Sequence, residues 1–249
     1  MTLNTFIIIS NVVFYWLAFL VSIWIGNFIT SFYYRIPRGI TLNGIQNPPM
    51  CSNCGIRLKY PDYGPLYYYL FKAKHCKSCG VHIPAMYFYI ELFIGLVLVC
   101  NFIINGISEA SVVNCFFIAS IFLILFINIK HKQVFEKSLV FLIIFALIKG
   151  FYLHGTEEFL YEVGLSLMCG GLLSKALIKQ GSPIGYRQFF YILPIGFEKL
   201  DAVLIFLASY AISLAYKKSN IVTNACVISI IWLLCFDSFH LIKIAKLIY

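Results

Sequence analysis

Charge is what this 249-residue sequence has least of. Only 12% of its residues are Asp, Glu, Lys or Arg, against about 25% in an ordinary soluble domain. Just ten are acidic, and 61% of the chain is hydrophobic. Water is thereby excluded as its main solvent, and the class that remains is a polytopic membrane protein. A phosphate-cradling glycine loop, a Ser-His-Asp order, an H-E-x-x-H pattern and an internal repeat are also missing, which removes the usual signatures of nucleotide binding, hydrolase triads and zincins. The nineteen Lys and Arg are dispersed among apolar runs rather than gathered on one face. Nucleic acid is therefore not an expected partner, whereas membrane lipids are.

What is present is a series of apolar runs close to the roughly 18 to 20 residues that cross a bilayer. They place spans at about 6–34, 86–106, 112–129, 138–153, 158–178, 199–216 and 220–246, with a shorter apolar stretch at 188–197. The first run has no basic leader and is too long for a signal-peptide core, so it is expected to stay as an anchor. Gly164, Gly170 and Gly171 give one span a small-residue face for close helix packing. Tyr and Phe, seventeen and twenty-four in number, suit interfacial belts and lipid-facing surface.

Positive charge marks the cytoplasmic side of membrane proteins. Seven Lys or Arg fall between residues 35 and 85 against Asp62 alone, and the loop after the third span reads KHKQVFEK. Two spans separate these segments, so both are expected on the cytoplasmic side. Lys175, Lys179 and Arg187 follow the same rule, whereas Lys217 and Lys218 fall on the opposite side by this count.

Four of the nine cysteines form two C-x-x-C pairs, Cys51 with Cys54 and Cys76 with Cys79, separated by twenty-one residues. That is the usual arrangement of a closed four-thiolate zinc site, in which the metal replaces a core. Gly55 and Gly80 follow the pairs, where each turn needs relief. His75 offers a spare ligand beside Cys76. The competing reading, redox or disulfide-forming pairs, suits a reducing cytoplasm less well. A structural zinc site leaves no open position for water, so the chemistry has to come from elsewhere. Cys100, Cys115, Cys169, Cys226 and Cys235 stand singly in apolar runs and read as small buried hydrophobes.

The flanks of the pairs add a resemblance. GNFITSFYYRIPRG precedes the first pair, LKYPDYGPLYYYLFKAKHCKSCGVHIP leads through the second, and MYFYIELFIGL follows. Over about residues 26–100 this order resembles the amino-terminal half of the type IV prepilin leader peptidases, bifunctional enzymes of the bacterial inner membrane. The family cleaves the leader from type IV pilin and type II secretion pseudopilin precursors and methylates the new amino terminus with S-adenosylmethionine. The resemblance implies an all-α bundle of seven or eight transmembrane helices with a small cytoplasmic four-cysteine zinc-knuckle insertion. Its domains would be a first anchor at 1–36, the knuckle at 37–85 and a membrane core at 86–249. It also places a family carboxylate at Glu91, which on its own terms is either an interfacial anchor or a functional acid.

The family cuts with two aspartates, one acting as base while the other, protonated, polarises the scissile carbonyl. The stretch LFINIKHKQVFEKSL aligns Asn128 with the first, and LPIGFEKLDAVLIF aligns Phe197 with the second. Neither side chain ionises. Asp201, Glu198 and Glu136 are the acids near enough in sequence for a displaced dyad, though local pairing of Glu198 and Asp201 around Lys199 explains those two more simply. Glu162, and Asp237 with His240, read as helix–helix hydrogen-bonding groups. The expected function is a prepilin-peptidase-like membrane protein, processing precursors or, with its dyad replaced, a degenerate member that binds them. The alternative is a non-catalytic scaffold that recruits pilus or secretion components through the knuckle.

Overall fold

The structure, a computed structural model, describes residues 3–43, 48, 50–51, 53–58, 70, 75–82, 84–177, 184–197, 199–216 and 220–235. Among them the secondary structure is helical, with two isolated β-bridges and no strand. The chain divides into two compact units, Met1–Cys100 and Asn101–Tyr249.

In the first unit, helix α1 runs from Leu3 to Arg35 and is apolar all round, as a lipid-embedded helix should be. It ends where Pro37 removes a donor, in a short 3-10 turn at Ile36–Arg38 closed by Gly39 at φ 67°. Helix α2, Ala85–Asn105, begins directly after Pro84. Gly26 of α1 meets the backbone of Glu91 so closely that an added Cβ would lie 3.0 Å from the Glu91 Cα.

In the second unit, helix α3 spans Glu109–His131. Ser108 caps it by accepting a hydrogen bond from the Ser111 amide, Glu109 lies in the first turn, and Lys130 and His131 lie in the last. Both charges suit the helix dipole. Lys132, at φ 53°, closes the far end by donating its amide to the Asn128 carbonyl. Helix α4, Glu136–Leu177, is broken at Gly155, whose φ of 68° and ψ of −171° no helix contains. The break matches the expected gap between spans 138–153 and 158–178. Helix α5, Ile184–Ile192, runs into a 3-10 turn at Leu193–Gly196. Nine helical residues reach only about 13 Å, so the apolar stretch at 188–197 is a buried internal element rather than a span. Helices α6, Lys199–Ala215, and α7, Ile221–Cys235, complete the unit. Residues 236–246 of the expected last span, with Asp237 and His240, lie outside the described residues.

Three helices, Ile8–Arg38, Ala85–Asn105 and Glu109–His131, are long and apolar enough to cross a membrane. The third is largely buried inside the protein and forms the core of its unit. Helices α4 and α7 pack against it, α5 packs on α4, and α6 packs on α7. Two of the expected packing glycines act as such. Gly170 lies against the backbone of Phe190 and Tyr191, Gly171 lies against the Tyr191 ring, and Gly164 faces open space. Of the lone cysteines, Cys115 and Cys226 are buried as expected, whereas Cys100 and Cys235 are exposed on their helices.

One expectation about topology changes. Thr223 in the first turn of α7 bonds Asn128 at the end of α3. The start of α7 therefore sits at the same end of the unit as the Lys130–Lys132 segment, not the opposite one. Lys217 and Lys218 are themselves outside the described residues. The miscount came from treating every apolar run as one crossing, which the short buried α5 is not.

Candidate metal centre and the aligned dyad positions

The two C-x-x-C segments share one loop geometry. In the first, the Cys51 amide donates to the Ile56 carbonyl at 2.9 Å and the Gly55 amide to the Cys51 carbonyl at 3.0 Å. In the second, the Cys76 amide donates to Val81 and the Gly80 amide to Cys76, both at 2.8 Å. Each loop is closed by an antiparallel bridge, Met50 with Arg57 and His75 with His82. Gly55 and Gly80 take φ values of 69° and 68°, where a Cβ would be strained.

The two loops bring all four sulfurs within 4.8 Å of one another. Cys51 and Cys79 are 3.8 Å apart at Sγ, and Cys54 and Cys76 are 3.9 Å apart. A tetrahedron of zinc–sulfur bonds about 2.3 Å long has edges of about 3.8 Å. The donor set and its spacing fit zinc, with Cys51, Cys54, Cys76 and Cys79 filling the shell. His75 is not needed as a fifth donor.

The electrostatics of the loops prepare some thiolates and not others. The Cys54 amide holds the Cys51 thiol below its ordinary range. The Val81 amide, aided by the Asn53 side chain, holds Cys79 down to about 6. At Cys54 the Ile56 amide pulls downward, but desolvation and the surrounding Cys79, Cys51 and Cys76 sulfurs outweigh it and push the thiol up to about 11.

The residues aligned with the catalytic acids lie in the second unit. Asn128 is fully buried near the end of α3. Its amide nitrogen donates to Thr223 Oγ1 at 2.9 Å, and its carbonyl oxygen accepts from the Tyr186 hydroxyl at 2.9 Å. The same hydroxyl lies 2.8 Å from the Lys132 carbonyl and accepts from Asn220 Nδ2 at 2.6 Å. Asn220 also caps α7, its side-chain oxygen accepting from the Val222 amide. The result is a neutral hydrogen-bond network tying α3, α5 and α7 together.

Phe197 is not in that network. It is buried against the Phe117 ring, 5.5 Å away in an edge-on contact, and Gly196 before it lies against the same ring. The buried Lys149 ammonium sits 5.6 Å from the centres of both rings. Phe117 and Asn128 lie on one helix, eleven residues or about 16 Å apart. The structure therefore does not bring the two aligned positions together. Glu136 is exposed at the start of α4 and Asp201 is half-buried in the first turn of α6. No hydrogen bond or ion pair joins them among the described residues. Glu198 lies outside the described residues, as do the side chains of Glu162 and Lys199. Glu91 is buried rather than snorkelling at an interface.

Sequence reasoning missed Tyr186, Asn220 and Thr223. The one signal was Ser-Asn ahead of an apolar run, which marks a helix cap.

Comparison with known proteins bears on the first unit above all. Residues 20–104 match the bacterial peptidase A24 N-terminal domain. This stretch carries that domain. A prepilin leader peptidase/N-methyltransferase of Vibrio cholerae serotype O1 is 34% identical over 79 residues, 29% of this chain and 31% of the relative. The match thus spans less than a third of that enzyme's own length. Both findings support the family resemblance carried by the cysteine-bearing region. With three membrane-length apolar helices, they describe a membrane protein whose amino-terminal region is of prepilin-peptidase type. No solved structure matches the chain.

Proposed function

We propose that this protein is a bacterial inner-membrane member of the prepilin-peptidase family that engages pilin-like precursors without cleaving them at the family dyad. One observation carries the reading: Asn128 and Phe197 are non-ionising, buried in separate surroundings and about three helical turns apart along α3. Two carboxylates that share a proton have to touch. A precursor bound here meets a neutral amide network at one position and an aromatic pair at the other, and no general base faces it at either.

The cysteine platform remains whole. Cys51, Cys54, Cys76 and Cys79 would hold zinc in a closed shell, and the metal would fix the insertion's two loops rather than react. Under the positive-inside reading this platform lies in the cytoplasm, where a precursor's basic leader would first meet it. S-adenosylmethionine, the family's methyl-donor substrate, stays within the proposal as the route by which a methylation step could outlast the loss of proteolysis.

The experiment is photo-crosslinking of a type IV prepilin to the full chain in membranes. The native chain should crosslink, and Cys51→Ser with Cys54→Ser should reduce the yield by removing the metal. Equal yields from both, or no crosslink from either, contradict the reading.

A further inference from the structure

The second cysteine loop carries a feature that the first lacks. Its closing bridge pairs His75 with His82, and their rings lie 5.0 Å apart between centres at an angle of 89°. Both residues are exposed. The first loop closes the same bridge, at the same register and with the same hydrogen bonds, using Met50 and Arg57. The loop itself therefore sets no requirement for imidazoles at these positions.

The ring geometry is that of two ligands on one ion. With metal–nitrogen bonds of about 2.0–2.1 Å and nitrogens about 1.1 Å from the ring centre, ligand angles of about 90–110° put two imidazole centres about 4.5–5.2 Å apart. Edge-to-face aromatic contacts occupy the same range, but such contacts are driven by burial, and these rings face solvent. Cross-strand neighbours are also held at fixed separation by the bridge, so little side-chain order has to be gained on binding.

We infer that His75 and His82 form a second metal site on the knuckle, distinct from the four-thiolate centre. Two neutral imidazoles suit a borderline divalent ion such as zinc or nickel. Two protein donors leave the remaining positions to water or to a donor from a bound partner, so this site is open where the cysteine site is closed. It exchanges metal readily, while the thiolate centre keeps its own.

The test is a metal count on the full chain in lipid nanodiscs, dialysed to equilibrium against micromolar zinc. The native chain should hold two zinc ions, one of them removed by a mild chelator. His75→Met with His82→Arg copies the first loop's own bridge pair, so the loop should still close. That variant should hold one zinc, and its cobalt-substituted form should keep the thiolate-to-cobalt absorption unchanged. His131→Ala, outside the pair, should still hold two. A native chain with a single zinc, or a double variant that still holds two, overturns the inference.

Discussion

Tyr186 donates its hydroxyl to Asn128 Oδ1 across 2.9 Å, joining α5 to the end of α3 where the family resemblance places a catalytic acid. An aspartate there would find a hydrogen-bond donor ready but no second acid nearby. Asparagine uses the same donor and adds one of its own, to Thr223. The position is thus built for an uncharged amide.

Removing the hydroxyl should be felt throughout that network. Tyr186→Phe leaves the buried Asn128 oxygen and Asn220 nitrogen without their partner, which should cost about 1–3 kcal/mol. Thermal unfolding in detergent should show a lowered midpoint, and hydrogen exchange should rise at the start of α7. An unchanged midpoint would mean that the network contributes nothing.

Restoring one acid should not restore proteolysis. Asn128→Asp removes the donor to Thr223 and buries a charge, so the expected result is a less stable protein, by at least about 1–3 kcal/mol, that leaves a prepilin uncut. Adding Phe197→Asp should not help, because that second carboxylate would face Lys149 rather than the first. Leader release by the double variant would show that the two positions come together in the working state.

The tight place at Gly196 gives a packing prediction. A methyl group there would run into the Phe117 ring, and overpacking of this kind costs about 1–3 kcal/mol. Gly196→Ala should lower the unfolding midpoint, while Gly164→Ala, in open space, should leave it nearly unchanged. Comparable losses from both would contradict the described packing.

Acid should release the metal from the cysteine centre. Zinc takes thiolates, so a proton held by any ligand competes with it. Cys54, pushed up to about 11, must give up its proton on uptake at neutral pH, whereas Cys79, held down to about 6, is already ionised there. Uptake should therefore release protons at neutral pH, and affinity should fall as the pH falls, more steeply below about 6 as Cys79 also protonates. A chelator competition from about pH 8 to about pH 5 measures this. An affinity that does not change with pH would rule it out.

How much of this was legible in the sequence depends on the range of the interactions. The metal centre was readable because each pair of ligands is three residues apart and the metal needs only two such turns. The break near Gly155 was readable because apolar runs separate there. The Asn128 network was not, since its partners lie 58 and 95 residues away and no local pattern announces them. The distance between Asn128 and Phe197 was hidden for the same reason. Alignment names positions, but packing decides whether they meet, and here Phe197 follows its 3-10 turn onto Phe117 instead.

The most direct measurement is mass spectrometry of a type IV prepilin incubated with the full chain in membranes, with and without S-adenosylmethionine, beside a cleaving prepilin peptidase as control. The account predicts that the precursor keeps its full leader mass while the control removes it. Loss of the leader in the presence of this chain would contradict the account and turn attention to Asp201, Glu198 and Glu136.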